Sequence, residues 1–188
     1  MKNQLGAYHL ADNPSVYEPV RGNQFIFLIT DIDGILNVNS NDNSKINNAS
    51  KTIEMSVESC PIPHFTQDVI TIVRGNSQVH FAGKPQFPAG NIVCNEYLGA
   101  DAVDVLESWQ HLSYNIEEDY VGRAADYKKT CYLIECDNQG NPYKRYKLFG
   151  CFITGLSEEA LNMTNSDKRQ VQANISYDRA VLDPIEKI

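Results

Sequence analysis

The chain has 188 residues, 42% of them hydrophobic, and a formal net charge of −8 at pH 7. This length and composition predict one domain, residues 1–188, with enough apolar side chains to bury a core. The acidic balance argues against a surface that grips nucleic acid or an anionic membrane, because both need clustered lysine and arginine. No segment approaches membrane-spanning length and the start lacks an apolar leader, which predicts no membrane insertion and synthesis in a cytoplasm.

The N-terminal third is predicted to contain an arm, a strand and a long loop. Residues 1–22 suit an extended arm, and Gln24 to Thr30 reads as a strand that is apolar on both faces and therefore buried. Residues 37–50 are dominated by asparagine and serine, which predicts a long polar loop or a hairpin tip. Thr52 to Ser59 alternates polar with apolar residues, the pattern of a half-buried strand.

The middle of the chain begins with a predicted hairpin. Residues 68–74 and 78–82 are strands joined across a turn at Gly75, and a loop over residues 83–90 follows them. A short apolar strand at residues 92–94 then leads into the most regular segment of the chain.

That segment is the only convincing amphipathic helix, predicted over about residues 101–115. Asp101 is a suitable N-cap, with Asp104 three positions later as in a capping box. We expect Leu106, Trp109 and Leu112 in the core, because they recur at helical spacing. Trp109 is the only tryptophan, and its indole N–H is expected to find a partner.

The C-terminal third is predicted to be mostly strand. Residues 128–137 and 143–153 are predicted to form a hairpin. Residues 157–162 are predicted to form one helical turn, and residues 183–188 a short tail. The strand over residues 168–177 alternates most clearly, with an apolar face and a polar face that is largely uncharged. The apolar face comprises Val171, Ala173, Ile175 and Tyr177, and the polar face Gln170, Gln172, Asn174 and Ser176.

No pattern of catalytic or metal-binding residues is complete. Asp31 and Asp33 follow an apolar strand and resemble the first motif of haloacid-dehalogenase-type phosphatases, magnesium-dependent enzymes in which the first aspartate is the nucleophile. Those enzymes need a parallel sheet with crossover helices, whereas here a polar loop and a strand are predicted next. The alternative is that both aspartates belong to a turn before Gly34. We therefore expect no cofactor, no metal and no enzymatic activity.

The remaining reactive residues are scattered. The five cysteines are an odd set without a zinc-site spacing, which favours reduced thiols in the core. Basic residues cluster only at residues 144–147, where the strand pattern divides them between two faces. Pairing with acidic neighbours, in the same sheet or on another subunit, is their expected role.

Residues 79–115 resemble the corresponding region of tail tube proteins of long-tailed bacteriophages, in which a strand precedes a helix of pattern YxGADxxxxLxxWQxLxYN. The resemblance extends over roughly residues 68–182, through the hairpin and the last long strand. The positions that match the helix pattern are Tyr97, Gly99, Ala100, Asp101, Leu106, Trp109, Gln110, Leu112, Tyr114 and Asn115. The N-terminal third matches this family only in outline.

The resemblance implies a mainly β fold, an antiparallel β-sandwich or barrel flanked by one helix. It implies a structural virion protein whose copies form hexameric rings that stack into a tube, through which DNA passes during ejection without specific binding. Implied partners are further copies of the chain, the tape-measure protein, and sheath, baseplate or terminator proteins. A baseplate tube-initiator or tail-terminator ring of the same fold is the alternative, and the phosphatase is a distant one.

The resemblance also suggests where copies meet. The polar face formed by Gln170, Gln172, Asn174 and Ser176 is the candidate lumen lining. The loop over residues 37–50, the arm over residues 1–22 and the tail over residues 183–188 are candidates for contact between rings, with the loop ordering when the next ring docks. The loop residues singled out for this contact are Asn39, Asn41, Asp42, Asn43 and Lys45.

Overall fold

The computed structural model describes residues 19–33, 49–99, 101–158, 160–164 and 166–184. Three helices occur in these segments: α1 (Ala49–Ser56), α2 (Ala102–His111) and α3 (Ala124–Tyr127). The strands of the same segments are β1 (Phe25–Ile29), β2 (Val57–Ser59), β3 (Thr66–Arg74), β4 (Ser77–Gln86), β5 (Gly90–Asn95), β6 (Tyr114–Asn115), β7 (Tyr120–Val121), β8 (Lys129–Cys136), β9 (Pro142–Glu158), β10 (Gln170–Ser176) and β11 (Arg179–Asp183).

Seven of these strands form one sheet, in the order β1-β8-β9-β10-β5-β2, with β11 also paired to β9. Every pair in it is antiparallel, and the sheet curls into a half-barrel. The prediction of a mainly β, antiparallel fold is therefore confirmed. The strands β3 and β4 form a separate hairpin, and β6 and β7 form a second, much shorter one.

The long strand β9 divides the sheet into two halves. Its first part lies between β8 and β11, and with β1 these strands form the first half-sheet. Its second part pairs with β10, and with β5 and β2 these form the second half-sheet. The register between β9 and β8 shifts beside Gly150, and such an irregularity bends the strand that carries it. The φ of Gly150, 65°, belongs to the left-handed region that favours glycine.

The core lies between the sheet and the two longer helices. Alternate residues of the strands point into it, including Phe27, Leu133 and Val171, and α2 contributes Leu106 and Trp109. The buried face of β10 is the predicted one, since Val171, Ala173, Ile175 and Tyr177 are all buried. Leu106 and Trp109 are buried as expected, and Leu112 packs partly buried against the same cluster.

The helix α1 corrects the prediction of a strand over residues 52–59. Only residues 57–59 are extended, whereas Ala49–Ser56 is helical. Ala49, Ile53 and Ser56 are buried at helical spacing, and Met55, which a strand would have turned inward with Ile53, is 67% exposed. An alternation over only a few residues is compatible with a helix as well as with a strand, and packing against the sheet favours the helix here.

Three further boundaries differ from the predictions. The helix α2 ends at His111, because the amide of Ser113 turns back to the carbonyl of Gln110 at 2.9 Å. The helical turn predicted at residues 157–162 is wrong, since Ser157 pairs with Gln172 at the end of β9. The tail is likewise partly strand, because β11 pairs with β9.

None of the described helices is long and apolar enough to cross a membrane.

Candidate assembly surfaces

The helix α2 is held at its start by two carboxylates. Asp101 is the N-cap and accepts the amide of Asp104 at 3.1 Å, as the sequence predicts. Glu96, at the end of β5, accepts the amides of Ala102 and Val103 at 3.1 and 3.3 Å. Together these bonds satisfy N–H groups that the first turn of a helix leaves without partners. Glu96 was not predicted from the sequence, because its contact with the helix crosses a turn.

The position of Glu96 changes its acidity. Burial raises the pKa of its carboxyl to about 7, and a hydrogen bond with Asp101 and the charge of that residue act in the same direction. The two helix amides oppose this shift. Arg169 lies close enough for its charge to be felt by both carboxylates. The start of α2 thus carries a carboxyl that titrates near neutral pH.

Trp109 fixes the other side of α2. Its side chain is 1% exposed, and the indole N–H donates to the carbonyl of Tyr127 at 2.8 Å. The expected partner therefore exists, and it joins α2 to α3. Tyr127 in turn packs edge-on against Phe152 of β9, with the ring centroids 5.5 Å apart.

The outer face of the second half-sheet is polar and largely uncharged. Gln172 and Asn174 are exposed, and Gln170 and Ser176 are half-buried, so the structure places all four predicted residues on one face of β10. The register brings Asn91 and Asn95 of β5 beside them. We call the set Gln170, Gln172, Asn174, Ser176, Asn91 and Asn95 the amide face.

Side chains of the amide face bond to one another across strands. The amide of Asn91 donates to Gln172 at 3.2 Å, and that of Gln170 donates to Asn95 at 3.1 Å and to Glu58 at 2.7 Å. Glu58, at the rim, also contacts Lys168. These bonds hold the side-chain amides in place, and the amides present hydrogen-bond donors and acceptors without a formal charge.

The hairpin of β3 and β4 exposes apolar side chains. The register pairs Ile70 with Phe81 and Ile72 with Val79, which places all four on one face. Their exposed fractions are 53%, 52%, 46% and 47% in that order. We call these four residues the apolar quartet. Two strands cannot bury such a face by themselves, and no other part of the described segments covers it.

The hairpin is joined to the body at its base. Phe87, just after β4, packs with Phe65 before β3 and with Tyr177 after β10, at centroid distances of 6.2 and 6.0 Å. Beyond this anchor both strands are exposed almost throughout. The sequence predicts the hairpin but not its isolation. The available signal was that β3 has apolar residues on both faces, Val69 and Val73 on one and Ile70 and Ile72 on the other.

The residues predicted to contact a neighbouring ring are outside the described segments. These are Asn39, Asn41, Asp42, Asn43 and Lys45, together with most of the arm and the tail. At the boundary of that loop the structure shows Asp33, which accepts the amide of Ser50 at 2.8 Å. Asp33 thereby holds the first turn of α1.

The described sheet is not the parallel sheet that the phosphatase hypothesis requires. Every strand pair in the described sheet is antiparallel, and β1 lies at the end of its strand order, paired only with β8 among the described strands. Asp31 is an exposed turn residue with a φ of 59°, and Asp33 is bonded to α1. No group of three or more histidine, cysteine or acidic residues is placed to hold a metal within the described segments.

The basic strand and the cysteines have structural roles. Lys144 pairs with Glu135 at 3.8 Å and Arg145 with Asp183 at 2.7 Å, which confirms pairing within the sheet.

The five cysteines are free thiols, and all but Cys60 are buried. Burial raises the pKa of Cys60 and Cys94 to about 12, so both thiols remain protonated at neutral pH.

No family model and no curated protein matches this chain. Solved structures do. A chain of the PVC extracellular contractile injection system, in its extended sheath–tube complex, superposes with a TM-score of 0.61 at 16% identity, over 90% of this chain and 95% of that one.

Two further structures extend the comparison. A chain of the anti-feeding prophage cap, described as a tube terminating cap, gives a TM-score of 0.61 at 16% identity, over 95% of this chain and 99% of that one. A chain of the anti-feeding prophage baseplate, solved with six-fold symmetrisation, gives a TM-score of 0.60 at 9% identity, over 87% of this chain and 95% of that one. At these identities the shared property is the fold, which agrees with the resemblance to tail tube proteins.

Proposed function

We propose that this protein is a structural subunit of the tube of a phage tail or contractile injection machine, and that its copies form stacked rings. The observation that carries the proposal is the exposed apolar quartet. It stands on a body whose fold also occurs in sheath–tube, baseplate and cap complexes of injection machines. Covering the quartet with a second copy would remove four large apolar side chains from water.

The proposed rings are hexameric, as the resemblance implies, and the amide face lines their channel. A lumen through which DNA slides must offer hydration without strong attraction, and lysine or arginine on its wall would bind phosphates. The uncharged amides meet this condition, and the net charge of −8 adds no attraction for a polyanion. Besides further copies of the chain, the proposed partners are the tape-measure protein in the lumen, sheath proteins around the tube and baseplate proteins at its end.

Electron microscopy of concentrated purified protein tests the proposal. We expect rings or hollow tubes, and we expect their formation to depend on protein concentration. A species that stays monomeric under all concentrations and salt conditions would contradict it. Localisation to the virion or machine, after assembly in a bacterial cytoplasm, is tested by finding the protein in purified particles.

A second candidate is a terminating or initiating ring of the same assembly. It is favoured by the match to the cap chain, which spans nearly all of both proteins. The length of the polymer separates the two functions. A tube subunit forms stacks of many rings, whereas a terminator or initiator stops at one ring unless a tube end is supplied.

A further inference from the structure

The outer face of the first half-sheet combines apolar side chains with charged ones. The register places Leu28, Tyr132, Lys147 and Val181 in one row across β1, β8, β9 and β11. Ile26 and Ile134 lie in the next row, which continues through Arg145 and Asp183. The side chains of both rows are half-buried. Because β1 is apolar on both faces, its sheet is suited to being covered on both faces.

The same face carries the cation of Lys147, which contacts aromatic rings. Lys147 lies over the rings of Tyr132 and Phe149, with its amino nitrogen 5.6 and 5.0 Å from their centroids. Within the described segments it forms no ion pair, and the neighbouring Asp183 is already engaged by Arg145 at 2.7 Å. Arg179 is exposed beside it. We call these two rows of residues, which include Lys147, the basic apolar face.

A different part of the molecule has the opposite character. The turn between β6 and β7 exposes Glu117 and Glu118 beside Ile116 and Val121, which are 68% and 77% exposed. The side chain of Asn115 accepts both glutamate amides, at 2.9 and 3.1 Å, so the turn is held in shape. We call residues 116–121 the acidic turn.

The acidic turn is fixed against α2. Gly122 lies so close to the carbonyl of Leu112 that an added Cβ would be 1.8 Å from its oxygen. Residues of the turn, the end of α2 and α3 together line an open cleft of about 580 Å³. Glu117, Glu118 and Asp126 line it together with Arg123 and His111, so acidic residues outnumber basic ones there.

We infer that the basic apolar face binds the acidic turn of a second copy of the chain, an inference that rests on the proposed assembly into rings. Ile116 and Val121 would cover the half-buried isoleucine and leucine side chains, while a glutamate pairs with Lys147. The two surfaces are different patches of the same chain. Such a head-to-tail contact repeats from copy to copy and closes into a ring when the rotation permits.

Charge reversal tests this contact. Lys147→Glu and Glu118→Lys should each raise the concentration at which half of the chains assemble by at least about tenfold, because like charges then face each other. The double variant should return to within about threefold of the unaltered chain. An equal mixture of the two single variants should also assemble, since alternating copies restore every pair.

Matched controls lie on α1, where Lys51 and Glu54 are exposed. Lys51→Glu and Glu54→Lys change the net charge by the same amounts and should leave assembly unaltered. If the unaltered chain forms rings or tubes and the reversals act no differently from these controls, the inferred contact is wrong while the proposed function stands. If the unaltered chain never assembles, both the proposed function and the contact are overturned.

Discussion

At the scale of single residues, Trp109 determines how firmly α2 is attached to the sheet. Trp109→Ala should lower the free energy of unfolding by about 3–5 kcal/mol, because it leaves a cavity and an unpaired Tyr127 carbonyl. Urea denaturation followed by circular dichroism measures this loss. Trp109→Phe keeps an aromatic ring and should cost less; equal losses for both variants would mean that the hydrogen bond, and not the packing, dominates.

Glu96 makes stability depend on pH near neutrality. Its pKa is raised from 4.5 to about 7 in the folded chain, so between these values the folded state binds a proton that the unfolded state has released. The free energy of unfolding contributed by this group therefore falls as pH rises from about 4.5 to about 7. Above that range the contribution is absent.

Glu96→Gln should remove this slope. The measurement is denaturation at a series of pH values, with the difference between variant and unaltered chain taken at each pH so that other groups cancel. Glu107→Gln, which alters an exposed carboxylate on α2, is the control and should leave the profile unchanged. A Glu96→Gln profile parallel to that of the unaltered chain would show that Glu96 does not titrate in this range.

At the scale of elements, the bend of β9 depends on Gly150. Its φ of 65° is unfavourable for any side chain, and an added Cβ would be 2.2 Å from Oδ2 of Asp178, which Lys128 holds at 2.8 Å. Gly150→Ala should therefore cost at least about 1–2 kcal/mol of unfolding free energy. Gly155→Ala, in the same strand with only an ordinary contact at 3.9 Å, is the control and should cost little. Equal costs would refute a special role of the bend.

The hairpin of β3 and β4 should matter for assembly and not for stability. Replacing Ile72 and Phe81 by threonine keeps strand propensity but removes half of the apolar quartet. We expect the assembled fraction in sedimentation to fall sharply, while the denaturation midpoint stays within error. His80→Thr, on the opposite face, is the control. Unchanged assembly of the double variant would exclude the quartet from the interface.

At the scale of the whole molecule, the proposed channel predicts a pattern of chemical access. With Cys60 replaced by serine to remove the half-exposed thiol, Gln172→Cys should react with both a small and a polymer-linked maleimide in the monomer. In assembled tubes the small reagent should still enter the lumen, whereas the bulky one should be excluded. Lys51→Cys should react with both throughout. Full reaction of Gln172→Cys with the bulky reagent in tubes would place the amide face outside.

Much of the secondary structure follows from local pattern. The two faces of β10 and the N-cap and core face of α2 are all readable because neighbouring residues share one element and one period. The helix α1 is the largest departure from the predictions. Its short alternating segment fits a strand equally well, and only Ile53 packing in the core and Asp33 bonding to Ser50 decide for a helix.

The sequence by itself determined that this is an acidic, mainly β protein with one well-specified helix and a strand with an uncharged polar face. Only the tertiary structure decided which faces remain open, namely that the β3–β4 hairpin stands apart and that the outer side of β1 is partly uncovered. The reason is physical: periodicity records how a residue alternates within its own element. Whether a distant element covers that residue depends on how β9 bends and on which strands it brings together.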